Sequence, residues 1–184
     1  IYTAVRKLKI SHCSAFTATI DPKIERDIVT RIPLGKDFLK VEGNPIRPNL
    51  LLSSVVPEKV EDNPSIKQRK KIVKVLELLA KPERNGVTII YCRRRNTAGL
   101  LYEQLRCKKS FLNQHGYSIH LFHSQISTED RLETLHAFRD LQRQPVVIAT
   151  SAFGMGVDSA DVRQVIHYGT PYSLIDYVQQ IGRA

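Results

Sequence analysis

The chain has 184 residues, room for one ordinary domain or for one domain and part of another. Its 42% hydrophobic content excludes a disordered polar segment and allows a buried core. With 28 Lys and Arg against 18 Asp and Glu, the net charge is +10; this points to a polyanionic partner, most often nucleic acid, or else to a solvated basic surface.

In chain order, His12–Thr17 has the composition of a strand, and Asp21-Pro22 starts a helix whose body is Lys23–Ile32. Phe38–Glu42 is a second short strand. In Gly43–Asn49 the prolines Pro45 and Pro48 resist both helix and central strand, so the segment reads as a linker. Leu50–Val56 is strand-like and Glu58–Ser65 is a polar loop. Ile72, Val75, Leu76 and Leu79 then recur at helical spacing, leaving Lys67, Arg69, Lys70, Lys71 and Lys74 on the wet faces of the helix. Val87–Cys92 is a continuous apolar strand of the kind buried on both sides in a parallel sheet. Thr97–Arg106 is a helix and Ser118–Phe122 a strand. Ser127–Asp130 has the form of a capping box, opening a helix that carries Leu132, Leu135 and Phe138. Pro145–Thr150 and Val162–His167 are two more strands, and Pro171–Ile181 is a helix.

The alternation of strands and helices from Val87 onward predicts an α/β fold with a parallel, doubly wound sheet. Ligands of such sheets bind outside the carboxyl ends of the strands, which directs attention to the loops after Cys92, Phe122, Thr150 and His167. Cys13, Cys92 and Cys107 fit no zinc spacing; Cys13 and Cys92 lie in apolar runs and read as buried thiols, which suggests a reducing compartment. No apolar run approaches the ~18 residues of a membrane-spanning helix, and a soluble chain with no membrane partner is expected. The sequence begins at Ile1 without a Met and stops within a motif, so it reads as an internal piece of a longer protein.

Thr150–Asp158 follows a strand and carries Gly154 and Gly156, which permit a close backbone approach to a ligand. Thr150 and Ser151 offer hydroxyl or backbone donors to a phosphate, and Asp158 suits a ribose hydroxyl or an arginine; a plain turn with a capping acid remains open. Arg183, after Gly182 and near Gln179 on the last helix, offers a planar fork for phosphate or serves as a surface charge. Arg93 and Arg94 read as solvated charges or nonspecific phosphate contacts.

Together these segments resemble the second RecA-like domain of superfamily 2 helicases, most closely the RecQ family. Ala149–Asp158 (ATSAFGMGVD) resembles motif V with its AFGMG core, and Tyr177–Ala184 (YVQQIGRA) resembles the first part of motif VI. Ile89–Cys92 with Arg95 is similar to motif IV. Phe122-His123, Arg131 and Phe138 fall where that family has its Tyr-His signature, Arg and Phe. Phe16–Thr19 resembles motif III, and Arg47-Pro48-Asn49 the interdomain Arg-Pro-Asn. The chain departs from the pattern at Ser124-Gln125-Ile126, Ser159-Ala160, Gln180 and Ile181.

The resemblance implies that residues 1–45 are the end of a first RecA-like, ATP-binding domain and residues 46–184 the second RecA-like domain. It implies an ATP-dependent 3′–5′ DNA helicase, a hydrolase and isomerase of DNA repair and recombination, in the nucleus of a eukaryote or otherwise in the cytoplasm. Gly154, Gly156, Asp158, Gly182 and Arg183 would bind ATP, with Arg183 and Gln179 in catalysis. Thr17, Thr19, Arg95, His123, Thr150 and Ser151 would contact DNA, single-stranded or duplex at a junction. Mg²⁺ would accompany ATP, but its ligands are expected outside this segment. The sequence holds no Gly-x-x-x-x-Gly-Lys-Ser/Thr loop and no Asp-Glu pair, so the piece alone is expected to be inactive as an ATPase. The alternatives are a non-catalytic module for single-stranded nucleic acid and a superfamily 2 enzyme acting on RNA.

Overall fold

A computed structural model describes residues 12–17, 20–32, 34, 37–43, 47–55, 63–81, 86–139, 143–153 and 162–184. The chain divides into two compact units, Ile1–Leu51 and Leu52–Ala184.

In the first unit α1 spans Pro22–Arg31. Asp21 is extended and its carboxylate accepts from Lys23 N and Ile24 N, while Pro22 occupies a position whose N–H would have no partner within the helix. His12–Thr17, Phe38–Glu42 and the described part of Leu50–Val56, expected as strands, are not strands. A strand is fixed by its ladder partner. Phe16, Leu39, Val41 and Leu51 instead stay largely exposed.

The second unit holds α2 (Pro64–Leu79), β1 (Val87–Tyr91), α3 (Arg95–Arg106), α4 (Lys109–Gln114), β2 (Tyr117–Phe122), α5 (Thr128–Arg139), β3 (Gln144–Ala149), β4 (Val162–His167) and α6 (Leu174–Ile181). The four strands form one sheet in the order β2-β3-β1-β4, every pair parallel. β1 lies inside the sheet, with Ile89 level with Val147 and Val165, and all five of its residues are buried.

Side chains alternate between the two faces of the sheet. Ile90 and Cys92, with Val146, Ile148 and Ile166, meet Ile72, Val75 and Leu79 of α2, Ala98, Leu101 and Leu105 of α3, and Leu112 of α4. Val87, Ile89 and Tyr91, with Val147 and Ala149, face the other core, which contains Phe122, Phe138 of α5, and Phe153. Helices therefore cover both faces, and the doubly wound parallel sheet expected from the sequence is present.

α4 was not anticipated. α2 starts at Pro64 behind the cap Asn63, so Ser65 is helical rather than loop. Of the apolar residues read on α5, Leu132 is 52% exposed, whereas Thr134 is buried. The helix turns this way because Thr134 and Phe138, four apart, share the inner stripe; the Thr134 hydroxyl is satisfied by the Asp130 carbonyl at 2.8 Å. Cys92 is a buried thiol whose pKa burial pushes up to about 12, whereas Cys13 is only half-buried and Cys107 is exposed.

Candidate nucleic-acid groove and the motif VI helix

The strands are tied together at their carboxyl ends beyond the regular ladder. Cys92 N donates to Ala149 O at 2.7 Å, Thr150 N to Phe122 O at 3.2 Å, and Tyr168 N to Tyr91 O at 2.8 Å. The turn after β3 closes through Phe153 N to Thr150 O at 3.0 Å and is pinned by the Tyr91 hydroxyl, which donates to Phe153 O at 2.9 Å. The Phe153 ring, 1% exposed, packs edge-on to Phe122 and Phe138 at 4.7 and 5.4 Å. One buried aromatic thus anchors the turn that presents Thr150 and Ser151.

Above this edge lies an open groove of about 500 Å³, lined from the ends of all four strands. Arg93, Arg94, Arg95 and Asn96 come from the loop after β1 and the start of α3, Ser124 from after β2, Thr150, Ser151 and Ala152 from after β3, and Tyr172 from after β4. The three arginines and Ser151 are exposed, and Thr150 is buried at its floor. The first turn of α3 carries no acidic residue, and its N-cap Arg94 makes no side-chain cap. The positive end of the α3 dipole and three guanidinium groups therefore act in one place, and among the described residues no carboxylate lines the groove. Such a surface attracts anions; its hydroxyls and forked cations suit phosphate.

Of the residues expected to contact nucleic acid, Arg95, Thr150 and Ser151 meet in this groove. His123 does not line it; the ring is half-buried and Nδ1 accepts from Gln125 N at 3.2 Å, stabilising the local turn. Thr17 is exposed in the first unit. Thr19, Gly154, Gly156 and Asp158 lie outside the described residues. Tyr172 and Asn96 carry no motif signal, and Ser124 stands out in the sequence only as a departure from the family pattern. Their signal was positional, because each follows a strand of the sheet.

α6 is capped by Ser173, whose Oγ accepts from Asp176 N at 3.1 Å. Its Gln180 reaches back to the end of β4, with Oε1 2.8 Å from His167 Nε2. His167 stacks with Tyr91 at 5.9 Å and lies 5.1 Å from the Tyr177 ring. Burial lowers the His167 pKa, partly offset by the Gln180 bond. Burial raises the Tyr91 pKa, opposed by the charge and hydrogen bond of Arg183. Arg183 thus stands beside the Tyr91 hydroxyl, which also holds the turn after β3. Gln179 is exposed. Gly182 has φ −64 and ψ −1, so its backbone does not require a glycine. Between groove and α6 is a cavity of about 20 Å³, room for a water molecule, walled by Tyr91, Arg93, Ser151, His167 and Gln180 among others.

A guanidinium beside a strand end suits the phosphates of ATP. Among the described residues no group of three His, Cys, Asp or Glu could hold a metal ion. No described helix is long and apolar enough to cross a membrane.

Residues 70–184 match the helicase conserved C-terminal domain. Among curated proteins the chain is similar to the mouse bifunctional 3′-5′ exonuclease/ATP-dependent helicase WRN, 34% identical over 170 residues, covering 92% of this chain and 11% of that protein. It is 30% identical to mouse ATP-dependent DNA helicase Q5 (97% of this chain, 17% of the relative) and 32% identical to ATP-dependent DNA helicase RecQ of Pasteurella multocida (92% and 24%). The chain spans less than a third of the length of each of these relatives. Its fold is similar to that of S. cerevisiae Dbp5 bound to RNA and ADP BeF3, with TM-score 0.63 and 18% identity over 91% of this chain and 40% of that one. It is also similar to a DEAD box protein from Methanococcus jannaschii, with TM-score 0.50 and 22% identity over 63% of this chain and 29% of that one.

Proposed function

Because the chain belongs to the family of the helicase conserved C-terminal domain, we propose that it is part of an ATP-dependent DNA helicase of RecQ type. The observation that carries this reading is the basic groove across the carboxyl ends of β1–β4. Its cations and hydroxyls grip a sugar–phosphate backbone without reading bases. Residues 46–184 form the second RecA-like domain, and residues 1–45 end the first. Closure of the two domains on ATP advances a single strand of DNA in the 3′ to 5′ direction.

Arg95, Ser151 and Thr150 hold the strand in the groove; Thr17, Thr19 and His123 contact it or relay its presence. Gly154, Gly156, Asp158 and Gly182 approach the nucleotide, and Arg183, with Gln179, faces its phosphates. ATP supplies the free energy of translocation when bound. Tyr91 ties the two functions together, since its hydroxyl holds the groove's turn at Phe153 O and neighbours Arg183. DNA rather than RNA as substrate follows the relatives of similar sequence. A role in DNA repair and recombination follows the same reading, in the nucleus of a eukaryote or the cytoplasm of a bacterium. The segment alone hydrolyses no ATP, in keeping with a sequence that holds no phosphate loop.

The test is ATP hydrolysis by a protein in which this segment is joined to its ATP-binding domain, with and without single-stranded DNA. Arg183→Ala is expected to lose most of the DNA-stimulated rate while the melting temperature holds. An unchanged rate would remove Arg183 from the nucleotide site.

A further inference from the structure

Tyr172 is the one aromatic ring among the described residues that line the groove. It lies between β4 and α6, directly before the cap Ser173. Gly169, at φ +114, turns the chain there in a conformation that side-chain-bearing residues rarely adopt. The ring is 60% exposed, so it is not part of the core. It is nevertheless held in place twice by one residue of the opposite loop. The Tyr172 hydroxyl donates to Arg93 O at 3.0 Å, and the Arg93 guanidinium lies 4.4 Å from the ring centroid.

A tethered ring with a cation on it and much of its surface in solvent, at the mouth of an arginine-lined groove, matches what unpaired bases need. A flat π surface receives the base while the cations take the backbone. We propose that Tyr172, set by Arg93, is a stacking platform for an unpaired base, so that the groove prefers single-stranded nucleic acid. A base inside a duplex is stacked on both faces and has none to offer. The inference rests on the groove being a nucleic-acid site and adds what the backbone contacts lack, discrimination of unpaired from paired strands.

The chain contains no Trp, so Tyr172→Trp introduces a single indole as reporter. Titration with labelled oligothymidylate is expected to quench that indole in step with the rise in oligonucleotide anisotropy, whereas a blunt duplex binds without quenching. Tyr172→Ala is expected to weaken single-strand binding about 5- to 100-fold with an unchanged salt slope, since no phosphate contact is lost. Anisotropy that reports binding without quenching, together with wild-type affinity in Tyr172→Ala, would overturn the platform and leave the groove standing. No binding by the wild-type chain would overturn both.

Discussion

At the level of single residues, two half-buried histidines on the outer strands tie stability to pH. Burial lowers the pKa of both His167 and His120; Gln180 opposes the shift at the first and Glu133 at the second. In the unfolded chain both titrate near the ordinary value of 6.5. Below that pH the unfolded state binds more protons than the folded state, so stability falls as acid is added. The contribution of the two histidines is fully present above pH 6.5 and is lost as pH falls through their depressed folded values. Urea midpoints at about pH 7.5 and about pH 5 are expected to drop on acidification, and to drop less in His120→Gln and His167→Gln. Equal drops in wild type and variants would contradict the assignment.

Elements fixed by local signals are legible in the sequence, and elements fixed by distant partners are not. Val87–Tyr91 was legible because a strand buried on both faces must be apolar at every position. Ser127 was legible because a cap is a local device: its Oγ accepts from Asp130 N at 3.0 Å. Ser127→Ala is expected to cost about 1 kcal/mol, read as a lower midpoint in thermal denaturation. Wild-type stability would show that the cap contributes nothing. Lys109–Gln114 was missed because six residues carry too few turns to display a helical period, and only Leu112 is buried. The segments before α2 read as strands have apolar residues but join no ladder among the described residues, and pairing is not written in local composition. In the site, Arg95, Thr150 and Ser151 were legible from their motifs. Tyr172 was not, because its role depends on Arg93, a residue 79 positions away.

At the scale of the whole molecule, a net charge of +10 says only that a polyanion is welcome, while the fold says where. The parallel sheet gathers the loops after all four strands to one edge. There Arg93, Arg94 and Arg95 meet the hydroxyls of Thr150 and Ser151. The charge on α2 spreads over exposed faces of that helix, whereas Arg93, Arg94 and Arg95 stand together at the groove. Whether this groove holds a nucleic-acid backbone is tested most directly by the salt dependence of oligothymidylate binding in wild type, Arg94→Ala and Arg95→Ala. Both variants are expected to bind more weakly, with the slope of log affinity against log salt shallower by about 0.7 for each phosphate contact removed. Wild-type affinity and slope in both variants would contradict it.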